Sequence, residues 1–304
     1  MNRNDLFRGF QEIDDKLLER SEMKKVKVGY VWKKWAALAA CICMLVVAIP
    51  YVRNIIFPKG NGDSQIDVPE IALCYYQGAL YECCNNKDGL ERAGLPTKIT
   101  SEMAGNHVAY VELGDRFDYQ ITSEQTDKEL LQYAPAPSKA VYILRTGEEY
   151  MALLFCRTYF PDDPSAYSDL AEIYRFFGIS AASDIASISE TNWNTNKIIG
   201  KEVTDENAIK EFYDMTTDIS TFISMDNDAF QSIVFDGISE EKQQEAHNSF
   251  ADDLHMIRIR TKSGLQFHVS YYPNYGFLYS GHAMAYHQVT SELEMWFQEY
   301  MKIE

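Results

Sequence analysis

Basic residues are in short supply. The 304 residues hold 28 Lys and Arg against 45 Asp and Glu, a net charge of −17, which excludes nucleic acid as a partner of the chain as a whole. Six cysteines are too few for a disulfide-dense scaffold. Nine prolines and 16 glycines rule out a collagen-like or low-complexity chain. No G-x-x-x-x-G-K-[ST] or G-x-G-x-x-G run occurs, so the common nucleotide cradles are missing. No G-x-S-x-G elbow occurs either. Nothing implies a catalytic residue, a cofactor or a metal.

What is present first is one long apolar run. Trp35–Val52 contains 18 residues and no charge. As a helix it spans about 27 Å, close to the hydrocarbon core of a bilayer. Tyr30, Trp32 and Trp35 sit at one end and Tyr51 at the other, where aromatic rings favour the interface. Residues 35–57 are therefore expected to form a transmembrane helix. Lys24, Lys25, Lys27, Lys33 and Lys34 precede it, and only Arg53 and Lys59 closely follow. The positive-inside rule places residues 1–34 in the cytoplasm and the acidic remainder outside, anchored in the cell membrane. Two rivals fit less well. A cleaved signal peptide starts nearer the N-terminus. Leu38-Ala39-Ala40-Cys41 resembles a lipobox, but the apolar stretch before Cys41 is short and the run continues past it.

The stub, residues 1–34, carries an amphipathic helix. Leu6, Phe10, Ile13 and Leu17 follow helical spacing beside an acidic rim at Glu12, Asp14 and Asp15. A segment this short has no core of its own to bury that stripe, so it faces either a partner protein or the lipid surface. Phe10–Glu19 (FQEIDDKLLE), a basic linker and KKWAALAACICMLVV together resemble the N-terminal module of Gram-positive single-pass membrane proteins with a short Ile-Asp-Asp motif. Their architecture is similar to that of membrane-bound anti-sigma factors. The resemblance covers about the first fifth of the chain. The stripe and its acidic rim make Leu6, Phe10, Ile13, Asp14, Asp15 and Leu17 the candidate docking residues, and the resemblance implies a regulatory output. It also implies a cytoplasmic partner such as a sigma factor and an extracytoplasmic ligand of unknown kind. The stub has no Cys or His, which excludes the zinc site of one anti-sigma class.

Residues 58–65 (PKGNGDSQ) read as a tether. Beyond them, hairpins alternate with helices, which predicts an α+β domain with a largely antiparallel sheet and interspersed helices. Lys139–Arg145 with Tyr150–Thr158, and Leu254–Thr261 with Leu265–Tyr272, read as hairpins. The likeness of VYILRTGEEY to IRIRTKSGLQF suggests two similar halves. The polar run Ser189–Lys197 is taken as the boundary between subdomains 66–190 and 197–304.

Three features carry chemistry. Tyr271, Tyr272, Tyr275 and Tyr279 form either a displayed recognition surface or a half-buried sheet face. Cys74 and Cys83 are a candidate disulfide: a turn at Gly78-Ala79 sets them opposite each other, whereas a turn at Gln77-Gly78 pairs Cys74 with Tyr81 and forbids the bond. His282 and His287 are five apart, which matches no zinc helix, and the acidic run at Asp226 fails the calcium-loop pattern. These expectations leave two classes open: a signalling membrane protein, or an anchored binding module or hydrolase with no signal passed inward.

Overall fold

The first seven strands close on themselves. In the computed structural model the described residues are 73–113, 119–160, 163 and 166–303, without the side chains of Glu240 and Glu241. The stub, the span 35–57, the tether and all six docking residues lie outside them. Among the described residues no helix is long and apolar enough to cross a membrane.

β1 (Leu73–Tyr76), β2 (Ala79–Cys84), β3 (Ala104–Leu113), β4 (Tyr119–Thr122), β5 (Lys128–Tyr133), β6 (Val141–Thr146) and β7 (Glu149–Thr158) form a barrel in the order β1-β2-β7-β6-β5-β3-β4. Closure comes from one parallel bridge, with Cys74 opposite Tyr119; every other pairing is antiparallel. Closing a sheet brings its two edge strands together, here through that one bridge. Val111, Leu130, Ile143, Leu144 and Leu153 are fully buried. Tyr81 meets Tyr142 edge-on at 5.4 Å, and its hydroxyl donates to the Lys139 carbonyl at 2.9 Å. A short helix, α1 (Lys87–Arg92), leaves β2 with its N-terminus capped by Asn86.

The chain then passes through α2 (Leu170–Phe176), capped by Asp169, into a second sheet. This sheet contains β8 (Ile185–Thr191), β9 (Ile198–Val203), β10 (Ser224–Met225), β11 (His255–Thr261), β12 (Gln266–Tyr272), β13 (Phe277–Ser280) and β14 (Ala285–Gln288). The order is β10-β14-β13-β12-β11-β8-β9, antiparallel throughout. Successive residues of a strand point to opposite faces, and Tyr271 and Tyr272 show what covers each one. Tyr271 stacks on Phe297 at 4.0 Å, on the face covered by α3 (Glu206–Thr217) and α6 (Ser291–Trp296); there Phe212 meets Trp296 at 4.8 Å. Tyr272 stacks on Phe250 at 4.0 Å, on the face covered by α4 (Asn227–Phe235) and α5 (Glu240–Asp252).

Aromatic rings join barrel to sheet. Phe155 of β7 stacks on Phe176 at 4.3 Å, and the neighbouring Phe177 stacks on Phe267 of β12 at 4.4 Å. Backbone bonds add to this: Gln266 N–H donates to the Ala93 carbonyl at 3.1 Å, and Thr158 N–H to the His282 carbonyl at 3.0 Å. Gly94 sits at the tightest point. Its φ is +79°, and a Cβ there would lie 2.2 Å from the Gly264 carbonyl oxygen, so only glycine fits.

This architecture corrects the expected one. The fold is mostly β, a closed barrel plus a second sheet, and not a single α+β sheet domain. The two hairpins thought to mark similar halves are real, but one belongs to a barrel and the other to an open sheet, so the halves differ in topology. Ser189–Lys197 is no boundary. It is the end of β8 and the turn into β9, with Thr191 opposite Ile198. The passage between the two sheets lies earlier, between β7 and β8.

Candidate functional site

The tyrosine cluster is not displayed. Tyr271 and Tyr272 are buried under the helices just named. Tyr275 meets Phe250 edge-on at 5.1 Å, and Tyr279 packs on Tyr286 at 4.6 Å. β-branched and aromatic residues fill the sheet, and helices on both faces take up the rings.

Cys74 and Cys83 are not joined. Gln77 and Gly78 both have positive φ, at 48° and 77°, which puts the turn at those two residues and pairs Cys74 with Tyr81. Cys83 is then one position further along the same face, beyond disulfide reach for a diagonal neighbour. Burial pushes the Cys83 and Cys156 thiols up to about 12, so neither is a ready nucleophile.

The histidines do not converge. His268 Nε2 lies 3.0 Å from Asn196 Oδ1, and His282 Nδ1–H donates to the Cys156 carbonyl at 2.7 Å. His287 Nδ1 lies 2.9 Å from Ser224 Oγ, its ring stacked on Phe222 at 4.7 Å. A serine bonded to a histidine is the pair a hydrolase uses, yet here it lacks the rest. His287 is fully buried and its Nε2 has no partner, so no carboxylate orients the ring. Burial also holds it down to about 4, too weak a base to activate a hydroxyl. Among the described residues no group of three or more His, Cys, Asp or Glu is placed to hold a metal. Asp226 instead caps α4, accepting from Ala229 N–H at 2.7 Å.

A concavity lies elsewhere, in a groove of about 720 Å³ beside α3, within the roughly 300–1,000 Å³ of small-ligand sites. Its walls come from the loop at 180–186, from the first turns of α3 and from Lys262 of the β11–β12 turn. Local capping builds both walls. Asp184 accepts from Ser180 N–H at 2.8 Å, Ser180 Oγ at 2.9 Å and Ala181 N–H at 3.0 Å, which folds the loop onto its own carboxylate. Those bonds, the Ser180 backbone first, together with nearby Lys262, hold that carboxyl below its usual range. Opposite, Asp205 caps α3 by accepting from Asn207 and Ala208 N–H. Tyr213 O–H donates to the Ser180 carbonyl at 3.0 Å and ties the two walls together.

The floor is made of small and apolar side chains, Ala182, Ala186, Ile185 and Ile209, under a rim of Ser183, Thr204 and Asn207. Its lining holds no histidine or cysteine. Sequence patterning did not mark it, because its residues are ordinary loop and cap types. The only local signal was the run of Asp, Glu and Asn that starts α3.

Compared with family models, curated proteins and solved structures, the chain finds no match.

Proposed function

We propose that this chain is a single-pass protein of the cell membrane, with residues 1–34 in the cytoplasm and the barrel and second sheet outside as a ligand-binding sensor. Its arrangement is similar to that of membrane-bound anti-sigma factors, and its cytoplasmic partner is a sigma factor or a related regulator. The observation that carries this reading is the uncharged run Trp35–Val52 set between a lysine-rich stub and a strongly acidic remainder. The groove beside α3 supports binding over catalysis. The Ser224–His287 pair lends no support to a hydrolase, since its imidazole is buried and no carboxylate meets its Nε2.

Two measurements test it. Protease added to wall-stripped cells should digest the barrel and sheet and spare the stub; protection of the C-terminal part would reverse the orientation. Replacing Phe10 and Ile13 with Asp should abolish capture of a cytoplasmic partner from detergent extracts while the protein stays in the membrane. If wild type and double variant recover the same proteins, the stub is not an output element, and an anchored binding module without signalling is the better description.

A further inference from the structure

We propose that the groove beside α3 takes an extended peptide, which adds as a strand along the open edge of β8. The ladders show where that edge is. β8 is paired along its length with β11, from Thr191 opposite Met256 to Ile185 opposite Thr261. On its other side β9 ends at Val203, opposite Ile188. The chain then turns into α3, so Ile185, Ala186 and Ser187 have no β9 residue paired with them in the ladder, although the buried Ser187 hydroxyl reaches Glu202 of β9. Ile185 and Ala186 line the groove.

A second feature falls at the same place. Between Arg260 and Thr261 the register slips, and Ala186 is the extra residue of the resulting bulge. It therefore has no opposite residue in either neighbouring strand. Bulges recur at sheet edges and beside binding sites, where they re-aim the backbone. An unpaired strand segment inside a concavity is a template for an incoming strand, the recognition mode in which main-chain bonds supply affinity.

The side chains fit that guest. Ala181, Ala182 and Ala186 keep the floor low enough for another backbone to approach. Ser183, Thr204 and Asn207 supply hydrogen-bonding groups along the rim. Charge narrows the choice. Lys210 is paired with Asp214, whereas Glu206 and Lys262, which line the same groove, make no ion pair among the described residues; Lys262 also lies near the Asp184 carboxylate. An acidic side chain or a terminal carboxylate on the peptide would meet Lys262. The ligand is thus a short β-forming peptide with an acidic residue for Lys262 and room for a basic one at Glu206.

This rests on the outer part being the ligand-binding portion, and the test separates the two ideas because it uses purified protein and is blind to topology. A displayed library of random heptapeptides is panned on the full chain in mild detergent. Sequences rich in β-branched and aromatic residues with an Asp or Glu should be enriched. A synthetic copy of the leading sequence should slow amide exchange at Ile185–Ser187. Ala182→Trp, which fills the groove from the loop side, should weaken its binding about tenfold or more. Lys262→Glu, on an exposed turn, should weaken it too and shift the selection toward basic peptides. Thermal melts of both variants establish that they fold; if Ala182→Trp does not, the exposed Lys262→Glu and the exchange pattern decide. No enrichment, equal binding by the variants, or unchanged exchange at Ile185–Ser187 would each overturn the peptide assignment and leave the membrane reading standing.

Discussion

The barrel and the second sheet are each built from seven strands, and they treat their edges in opposite ways. The barrel joins β1 to β4 and has no edge left. The second sheet stays open. One end is β10, only two residues long, and a very short edge strand offers little to pair with. The other end is β9, six residues long, with Ile198 and Ile199 41% and 60% exposed. Closure suits a rigid support, and open edges suit recognition. The groove, the bulge and the exposed strand all lie in the open sheet.

The largest expected effect comes from disturbing the closed part. Leu153 of β7 is fully buried, with Cys83 and Tyr142 as its neighbours across the ladder. Leu153→Ala should cost about 2–5 kcal/mol, the transfer loss plus a cavity in a barrel that cannot collapse around it. Chemical denaturation reads this directly. A loss near 0.5 kcal/mol would mean that the barrel relaxes as easily as a surface.

Acid should sort the two parts next. Burial lowers His268 to about 3 and His282 and His287 to about 4. All three belong to the second sheet or its turns. His282 is only half-buried by area, but the rings of Phe155, Phe177 and Phe267 surround it. Unfolded, each would titrate near 6.5. Between about pH 6.5 and 4 the unfolded chain therefore binds protons that the native state refuses. The stability from these sites is complete above the unfolded value and is lost as pH falls toward the folded ones. Hydrogen exchange should show the second sheet opening before the barrel as pH drops from 7 to 4.5. His287→Phe, which keeps the stack on Phe222 and removes one such proton, should flatten the slope of stability against pH. A melting midpoint that stays level across this range would contradict the burial of these rings.

How much of this could be read in advance differs between the same two regions. β6–β7 and β11–β12 are found within one or two residues of the expected hairpins, because a hairpin is local: apolar alternation and a turn suffice. β4 and β5 carry no such mark, and the bridge from Cys74 to Tyr119 spans a long stretch of chain that no local pattern can announce. β8 reads as polar because Ser187, Ser189 and Thr191 alternate along it, yet all three are buried. Ser187 donates to Glu202 at 2.7 Å, and the loop from 192 to 197 brings Trp193 under the Arg92 guanidinium and Asn196 to His268. That tertiary cover turned a strand into an apparent boundary. The groove was illegible for a related reason. Its open edge exists only because β9 ends early against β8, and ladder length is a property of two strands together.

The smallest effect on stability should come from the exposed edge, and it sharpens the comparison most. Ile199 contributes little to the core, so Ile199→Lys should change unfolding free energy by no more than about 0.5 kcal/mol. Its consequence should appear between molecules. An edge strand with two exposed isoleucines can pair with another chain, and the existing Lys201 and Glu202 only partly guard it. A lysine at 199 adds like-charge repulsion at the centre of that edge. Size-exclusion chromatography over rising protein concentration should show wild type associating first and Ile199→Lys remaining at its lowest mass. The matching change on the barrel, Ile121→Lys at an exposed site of β4, should leave association untouched, because β4 is paired with β3 along its length and bridged to β1 at Tyr119, which leaves little ladder to offer. If the two lysine variants behave alike, exposure of apolar side chains governs association and the openness of the sheet does not.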